Sequence, residues 1–103
     1  MAANRPEPMD PEEVARVIAV PWRVVDNTVH AEFLTRTMVV GGQMVARAID
    51  AAEALNHHPD IDLRYATIHF VISTHSVGAL TALDVELAAQ ISAIATELGV
   101  DPA

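Results

Sequence analysis

The chain has 103 residues, 51% hydrophobic and 19% charged, enough apolar material for one small core and too much for intrinsic disorder. Six basic against 14 acidic side chains leave a formal charge of −8, so the average surface field repels a phosphate backbone and direct nucleic-acid binding is disfavoured. The absence of cysteine excludes disulfides, thiolate nucleophiles, iron–sulfur clusters and cysteine-ligated zinc.

Pro6, Pro8 and Pro11, set beside Asn4, Arg5 and Glu7, predict a flexible leader over residues 1–9 ahead of a single domain over 10–103. Asp10 followed by Pro11, Glu12 and Glu13 is a helix start: a capping side chain, a proline whose missing N–H is harmless there, and acids at the positive end of the dipole. This helix is expected to run to about Ala19, before Pro21. Trp22–Val25 and Val29–Thr37 read as two strands of a hairpin joined by Asp26-Asn27-Thr28. Gly41-Gly42 reads as a flexible joint between strand and helix. Beyond it Val45, Ala48, Ile49, Ala52 and Leu55 recur at three- and four-residue steps, giving a helix that ends near Asn56, ahead of Pro59.

From Leu63 to Thr74 the sequence alternates, with Ala66, Ile68, Phe70 and Ile72 on one side and Tyr65, Thr67, His69, Val71 and Ser73 on the other. That predicts a strand with a shorter one before it. Thr81-Ala-Leu-Asp84 has capping-box spacing, with Asp in the usual Glu place, and opens a last helix with the stripe Leu83, Leu87, Ile91, Ile94 and Leu98, closing near Gly99. The order of elements makes the class α+β, an antiparallel sheet with helices packed on one face. Val85, Ala88, Ala89 and Ala95 broaden the apolar surface of the last helix beyond its stripe and point to helix-mediated self-association. No apolar run approaches the ~18 residues of a membrane span and no basic-then-apolar signal pattern is seen, so no membrane partner and a cytoplasmic location are expected.

The chemistry concentrates in Glu53-Ala-Leu-Asn-His57-His58-Pro59, followed by His75 and Asp84. Two histidines follow a helix and a third follows a strand, at loop ends where a rigid scaffold presents reacting groups. Imidazoles near their ordinary pKa of about 6.5 give and take protons at neutral pH, so several together suit proton-transfer chemistry. A helix C-terminus accounts for one histidine by its dipole and free carbonyls, but not for two in succession before a proline with a third at a strand end. His30 and His69 read as partly exposed sheet positions. Asp84 reads as support for the helix cap, and Glu53, one helical turn before His57, stands either to orient an imidazole or to face solvent. No HExxH pattern or dense carboxylate cluster calls for a metal, no glycine-rich loop for a nucleotide, and the serines flanking His75 carry no hydrolase motif.

The spacing Glu53-x3-His57-His58-Pro59-x5-Tyr65-x9-His75-x8-Asp84 resembles the signature of the pterin-4a-carbinolamine dehydratases, and the resemblance runs from about Trp22 to Leu98. It implies the order α-β-β-α-β-β-α, a four-stranded antiparallel sheet with three helices on one face, assembled as a homodimer or homotetramer. It also implies a hydro-lyase that converts 4a-hydroxytetrahydropterin to quinonoid dihydropterin and water in tetrahydrobiopterin recycling. The pterin is then the substrate, and neither cofactor nor metal is required. By the same resemblance His57 and His75 serve as acid or base, His58 holds the pterin and contributes to catalysis, and Glu53 assists. His57, His58, Pro59, Thr74, His75, Ser76 and Val77 would line the pterin, with Asp84 in support. Departures from the family pattern are Ile61 in place of an aromatic residue, Thr35, Met38, Gly42 and Met44 in place of phenylalanines, and Pro21 and Ala79 in place of glycines. The alternatives are a non-catalytic relative, acting as a Rubisco assembly factor or transcription-factor dimerisation cofactor, and a dehydratase of another carbinolamine-like substrate.

Overall fold

In the computed structural model, which describes residues 6–103, three helices cover one face of an antiparallel sheet. The elements are α1 (Pro11–Val17), β1 (Arg23–Val25), β2 (Thr28–Leu34), α2 (Met38–Leu55), β3 (Asp60–Leu63), β4 (Thr67–Ile72), α3 (Ala82–Leu98) and a short β5 (Asp101–Pro102). The sheet order is β1-β2-β4-β3, with β5 pairing the far end of β2. The class and element order are those expected, and β5 is an addition. Residues 1–5 of the expected leader lie outside the described residues; Met9, at its other end, donates its N–H to the Leu80 carbonyl at 2.7 Å.

Alternation fixes which sheet face is covered. Val29, Ala31 and Phe33 of β2 and Ile68, Phe70 and Ile72 of β4 are all at most 3% exposed, whereas the residues between them line the other face. Trp22 sits just before β1 and joins Phe33 and Phe70 in an aromatic cluster with centroids 6.1 to 6.3 Å apart. Its indole N–H donates to Ser92 Oγ of α3 at 2.8 Å, satisfying the polar end of an otherwise apolar side chain.

Several boundaries differ from the sequence expectation. α1 stops at Val17 because Ile18 is already extended, its N–H closing on the Val14 carbonyl. The hairpin turn is the pair Asp26-Asn27, since Thr28 faces Val25 in register, and Asp26 takes the left-handed conformation that a tight turn requires. β2 ends at Leu34, three residues early, because Arg36 adopts φ 69 and Thr37 becomes the N-cap of α2, its Oγ1 accepting from Val40 N at 3.2 Å.

Gly41-Gly42 is not a joint: both glycines lie inside the first turns of α2. At Gly41 the reason is close approach, since a Cβ there would stand 2.6 Å from Leu63 Cδ1 of β3. The buried stripe of α2 is Gly41, Met44, Ala48 and Ala52, and Ile49, one step of about 100° away from Ala48, is left 47% exposed. On α3, Ala88 and Ala95 are buried within the chain itself, so of the apolar surplus ascribed to self-association only Val85 and Ala89 remain partly or fully exposed. The strand expected over Leu63–Thr74 is β4, trimmed at both ends, and the shorter strand expected before it is β3; residues 64–66 form their connection, and Ala66 does not join the buried row.

Candidate active site

Two helix termini and the end of a central strand set the position of the candidate residues. α2 ends at Asn56, which takes φ 50 and turns the chain through the left-handed region that asparagine tolerates. His57, His58 and Pro59 therefore leave the helix and run into β3, whose register sets Asp60 opposite Val71. The end of β4 lies alongside and continues into the turn from Thr74 to Ala79, where Val77 and Gly78 donate to the Thr74 carbonyl at 3.3 and 3.1 Å. α3 starts just beyond, with Asp84 in its first turn.

A buried network joins these three segments. His57 Nε2 lies 2.6 Å from Asp84 Oδ1, while Asp84 Oδ2 accepts from Thr74 Oγ1 at 2.7 Å and from Thr81 N at 2.8 Å. Asp84 is fully buried and His57 is 8% exposed, so the carboxylate depends on these donors in place of water. An ionised carboxylate only accepts, which puts the His57 proton on Nε2 and leaves the lone pair on Nδ1 in the neutral imidazole. Asp84 is thus both the reciprocal half of the Thr81 capping box and the partner of an imidazole from another element.

The other candidates surround this network at the surface. Glu53 pairs with His58, Oε2 to Nε2 at 2.5 Å, and both side chains are more than half exposed. The helical spacing had associated Glu53 with His57, but the left-handed turn at Asn56 brings the second histidine back over the last turn of α2. His75 is exposed, and its Nε2 stands 3.4 Å from Ser73 Oγ. Pro59 and Val77 are half-buried and Ser76 is exposed. The Thr74 side chain is buried and its hydroxyl faces the network. His57, Thr74 and Asp84 are therefore joined by direct bonds, His58 and Glu53 form a second pair beside them, and His75 follows Thr74 in an adjoining turn. Thr81, legible only as a cap, is the member of the network that sequence reasoning missed.

His30 and His69 lie elsewhere, on the uncovered face of the sheet. His30 Nδ1 is 3.1 Å from His69 Nε2, and His30 Nε2 is 2.8 Å from Thr28 Oγ1. Burial, then the neighbouring His69 and Arg23, hold the His30 imidazole below its ordinary pKa. A cavity of about 200 Å³ beside His69 is lined by Pro21, Arg23, Ala31, Glu32 and Ala103. A second, of about 220 Å³, separates the end of α1 from α3. Among the described residues, no group of three or more His, Asp or Glu side chains is placed to hold a metal ion, and no helix is long and apolar enough to cross a membrane.

Comparison with known proteins settles the lineage. The sequence profile of the family described as "Pterin 4 alpha carbinolamine dehydratase" matches residues 7–94. The chain belongs to this family. Among pterin-4a-carbinolamine dehydratase relatives, a Nocardia farcinica protein named "Putative pterin-4-alpha-carbinolamine dehydratase" is 44% identical over 71 residues, 69% of this chain and 70% of that one. A Mycobacterium tuberculosis protein of the same name is 36% identical over 73 residues, 71% of this chain and 78% of its own. The fold is similar to the crystal structure of a "transcriptional coactivator/pterin dehydratase" from Brucella melitensis, with TM-score 0.75 and 28% identity, covering 82% of this chain and 90% of that one.

Proposed function

We propose that this member of the family dehydrates 4a-hydroxytetrahydropterin to quinonoid dihydropterin and water, with histidines as acid and base. The reaction breaks the C4a–O bond. The departing hydroxyl needs a proton, the adjacent ring nitrogen supplies the electron pair that expels it, and an N–H proton must then be removed. An imidazolium serves the first need and a neutral imidazole the last, so two histidines of moderate basicity suffice without a redox change.

The observation that carries this reading is the His57–Asp84 pair in a chain of this family: a buried carboxylate holds the imidazole by Nε2, offers Nδ1 as a base and stabilises the imidazolium that forms when Nδ1 takes a proton. His75 is the second acid–base group, His58 holds the pterin with its ring steadied by Glu53, and the turn of residues 74–77 lines the flat heterocycle. The protein acts in pterin recycling in the cytoplasm, as a homodimer or homotetramer. The exposed Met38, Val39 and Ile49 of α2 provide an apolar face for that assembly.

The test is the rate of 4a-hydroxytetrahydropterin dehydration against the spontaneous reaction at equal pH and buffer, for the wild type and His58→Ala. Acceleration that is lost in the variant is the expected result. A folded wild-type protein that leaves the spontaneous rate unchanged overturns the proposal and favours the second reading, a binding module that uses its helical surface. That reading draws support from the coactivator role in the name of the Brucella relative.

A further inference from the structure

We propose that Thr74 is a positioning residue that selects the tautomer of His57: with Thr81 behind it, its hydroxyl commits Asp84 Oδ1 to the imidazole, so that His57 keeps its proton on Nε2 and presents Nδ1 to the site. Each threonine hydroxyl has a single proton to give, and that limit orders the whole network. Thr81 Oγ1 accepts from Leu83 N at 3.2 Å. Thr74 spends its proton on Asp84 Oδ2 at 2.7 Å. Of the two hydroxyls, 2.8 Å apart, Thr81 must therefore be the one that donates to Thr74. The polarity runs one way, from Leu83 N–H through Thr81 and Thr74 to Asp84.

Asp84 Oδ2 takes a second donor, Thr81 N–H at 2.8 Å, which leaves Oδ1 for the imidazole 2.6 Å away. The opposite tautomer would set the Nε2 lone pair against an Oδ1 lone pair at that distance, which is repulsive unless the carboxyl rotates or takes up a proton. Two donors on Oδ2 oppose both changes. Without the Thr74 hydroxyl, Oδ2 retains only the backbone donor, and the Thr81 hydroxyl loses its acceptor inside a site with no exposure at Thr81 or Asp84. Thr74 is also the residue before His75, so the same hydroxyl fixes the start of the turn that carries the second histidine. Its side chain is buried and bonded to Thr81 and Asp84, so its action on a substrate passes through His57.

The tautomer assignment stands on geometry alone; its effect on turnover rests on the proposed dehydration. The experiment is nitrogen-15 NMR of the His57 ring in the wild type, Thr74→Val and Thr74→Ser, with kcat and KM for dehydration in parallel. The wild type is expected to show Nε2–H as the main neutral form, and Thr74→Val to gain the Nδ1–H form with kcat lowered by about 10-fold and KM changed by less than about twofold. Thr74→Ser restores both. A wild-type ring that is mainly Nδ1–H overturns the proposal, as does a Thr74→Val protein with wild-type tautomer and kcat, or a Thr74→Ser protein that behaves like the valine variant. Should Thr74→Val fail to fold, Thr74→Ala makes the same comparison. If the wild type accelerates no dehydration while the ring spectra follow the expected pattern, the enzymatic reading fails and the positioning role stands.

Discussion

Replacing Asp84 with alanine removes the acceptor of three donors at once: His57 Nε2–H, Thr74 Oγ1–H and Thr81 N–H. The two threonine hydroxyls, 2.8 Å apart, have one bond between them for two protons, so one hydroxyl is stranded together with the His57 and Thr81 N–H groups. Each buried unsatisfied donor costs about 1–3 kcal/mol. Loss of the reciprocal half of the capping box adds about 1 kcal/mol. The sum is about 4–10 kcal/mol, and the cost of removing one partner of a buried ion pair, about 3–5 kcal/mol, puts the expected destabilisation at its lower end, about 4–5 kcal/mol. Against a total stability of about 5–15 kcal/mol this is a large share, and it lowers the melting temperature by at least about 16 °C for a domain of this size. Asp84→Asn separates charge from shape. Its amide oxygen can still accept from Thr74 and Thr81, its NH₂ group faces His57 Nε2, and the cost falls to about 1–2 kcal/mol. Urea unfolding followed by circular dichroism measures both variants. An alanine variant within about 1 kcal/mol of wild type, or one equal to the asparagine variant, refutes the view that this carboxylate ties α3 to the histidine segment.

Three further outcomes are expected. His58→Ala loses nearly all dehydration activity, yet its unfolding midpoint shifts by less than about 0.5 kcal/mol equivalent, because the side chain is exposed and its partner Glu53 is exposed too; unfolding curves and rates of the same sample check both halves. Gly42→Ala, with open space around the new methyl in a helix interior, stabilises by about 0.5–1 kcal/mol, whereas in Gly41→Ala the same gain is offset by displacing Leu63 Cδ1, 2.6 Å from the new Cβ; a Gly41→Ala gain equal to that of Gly42→Ala in thermal unfolding would remove the packing argument. The depressed pKa of His30 means that the unfolded chain binds a proton more readily than the folded one. Its contribution to stability is therefore present above about pH 6.5 and lost as pH falls through the folded-state value. His30→Asn should flatten the fall in urea midpoint between about pH 7 and 5, and an unchanged slope would assign that fall to other groups.

Much of the fold was legible because its signals are local. The Thr81–Asp84 box, the strand alternation through Ile68, Phe70 and Ile72, the asparagine stop before Pro59 and the glycine stop at Gly99 each act within a few residues, and each stands where the sequence puts it. Local signals misread the Gly41-Gly42 pair. Glycine in a helix is disfavoured on its own, and only the closeness of Leu63 from β3 makes it the fitting residue there. Ala88 and Ala95 were likewise read as surplus surface because nothing local tells a small residue facing the core from one facing a partner.

The candidate site divides in the same way. The sequence by itself determined which residues stand at element ends, and with them the histidine spacing that carried the family resemblance. Tertiary structure alone decided their partners: Asp84 for His57, 27 residues away, Glu53 for His58 across a left-handed turn, and His69 for His30 across two strands. A hydrogen bond requires its atoms to be placed to within a few tenths of an ångström, whatever their separation along the chain. Spacing can place a side chain on a helix end or strand face, but only the packed register of α2, β4 and α3 brings His57, Thr74 and Asp84 within reach of one another.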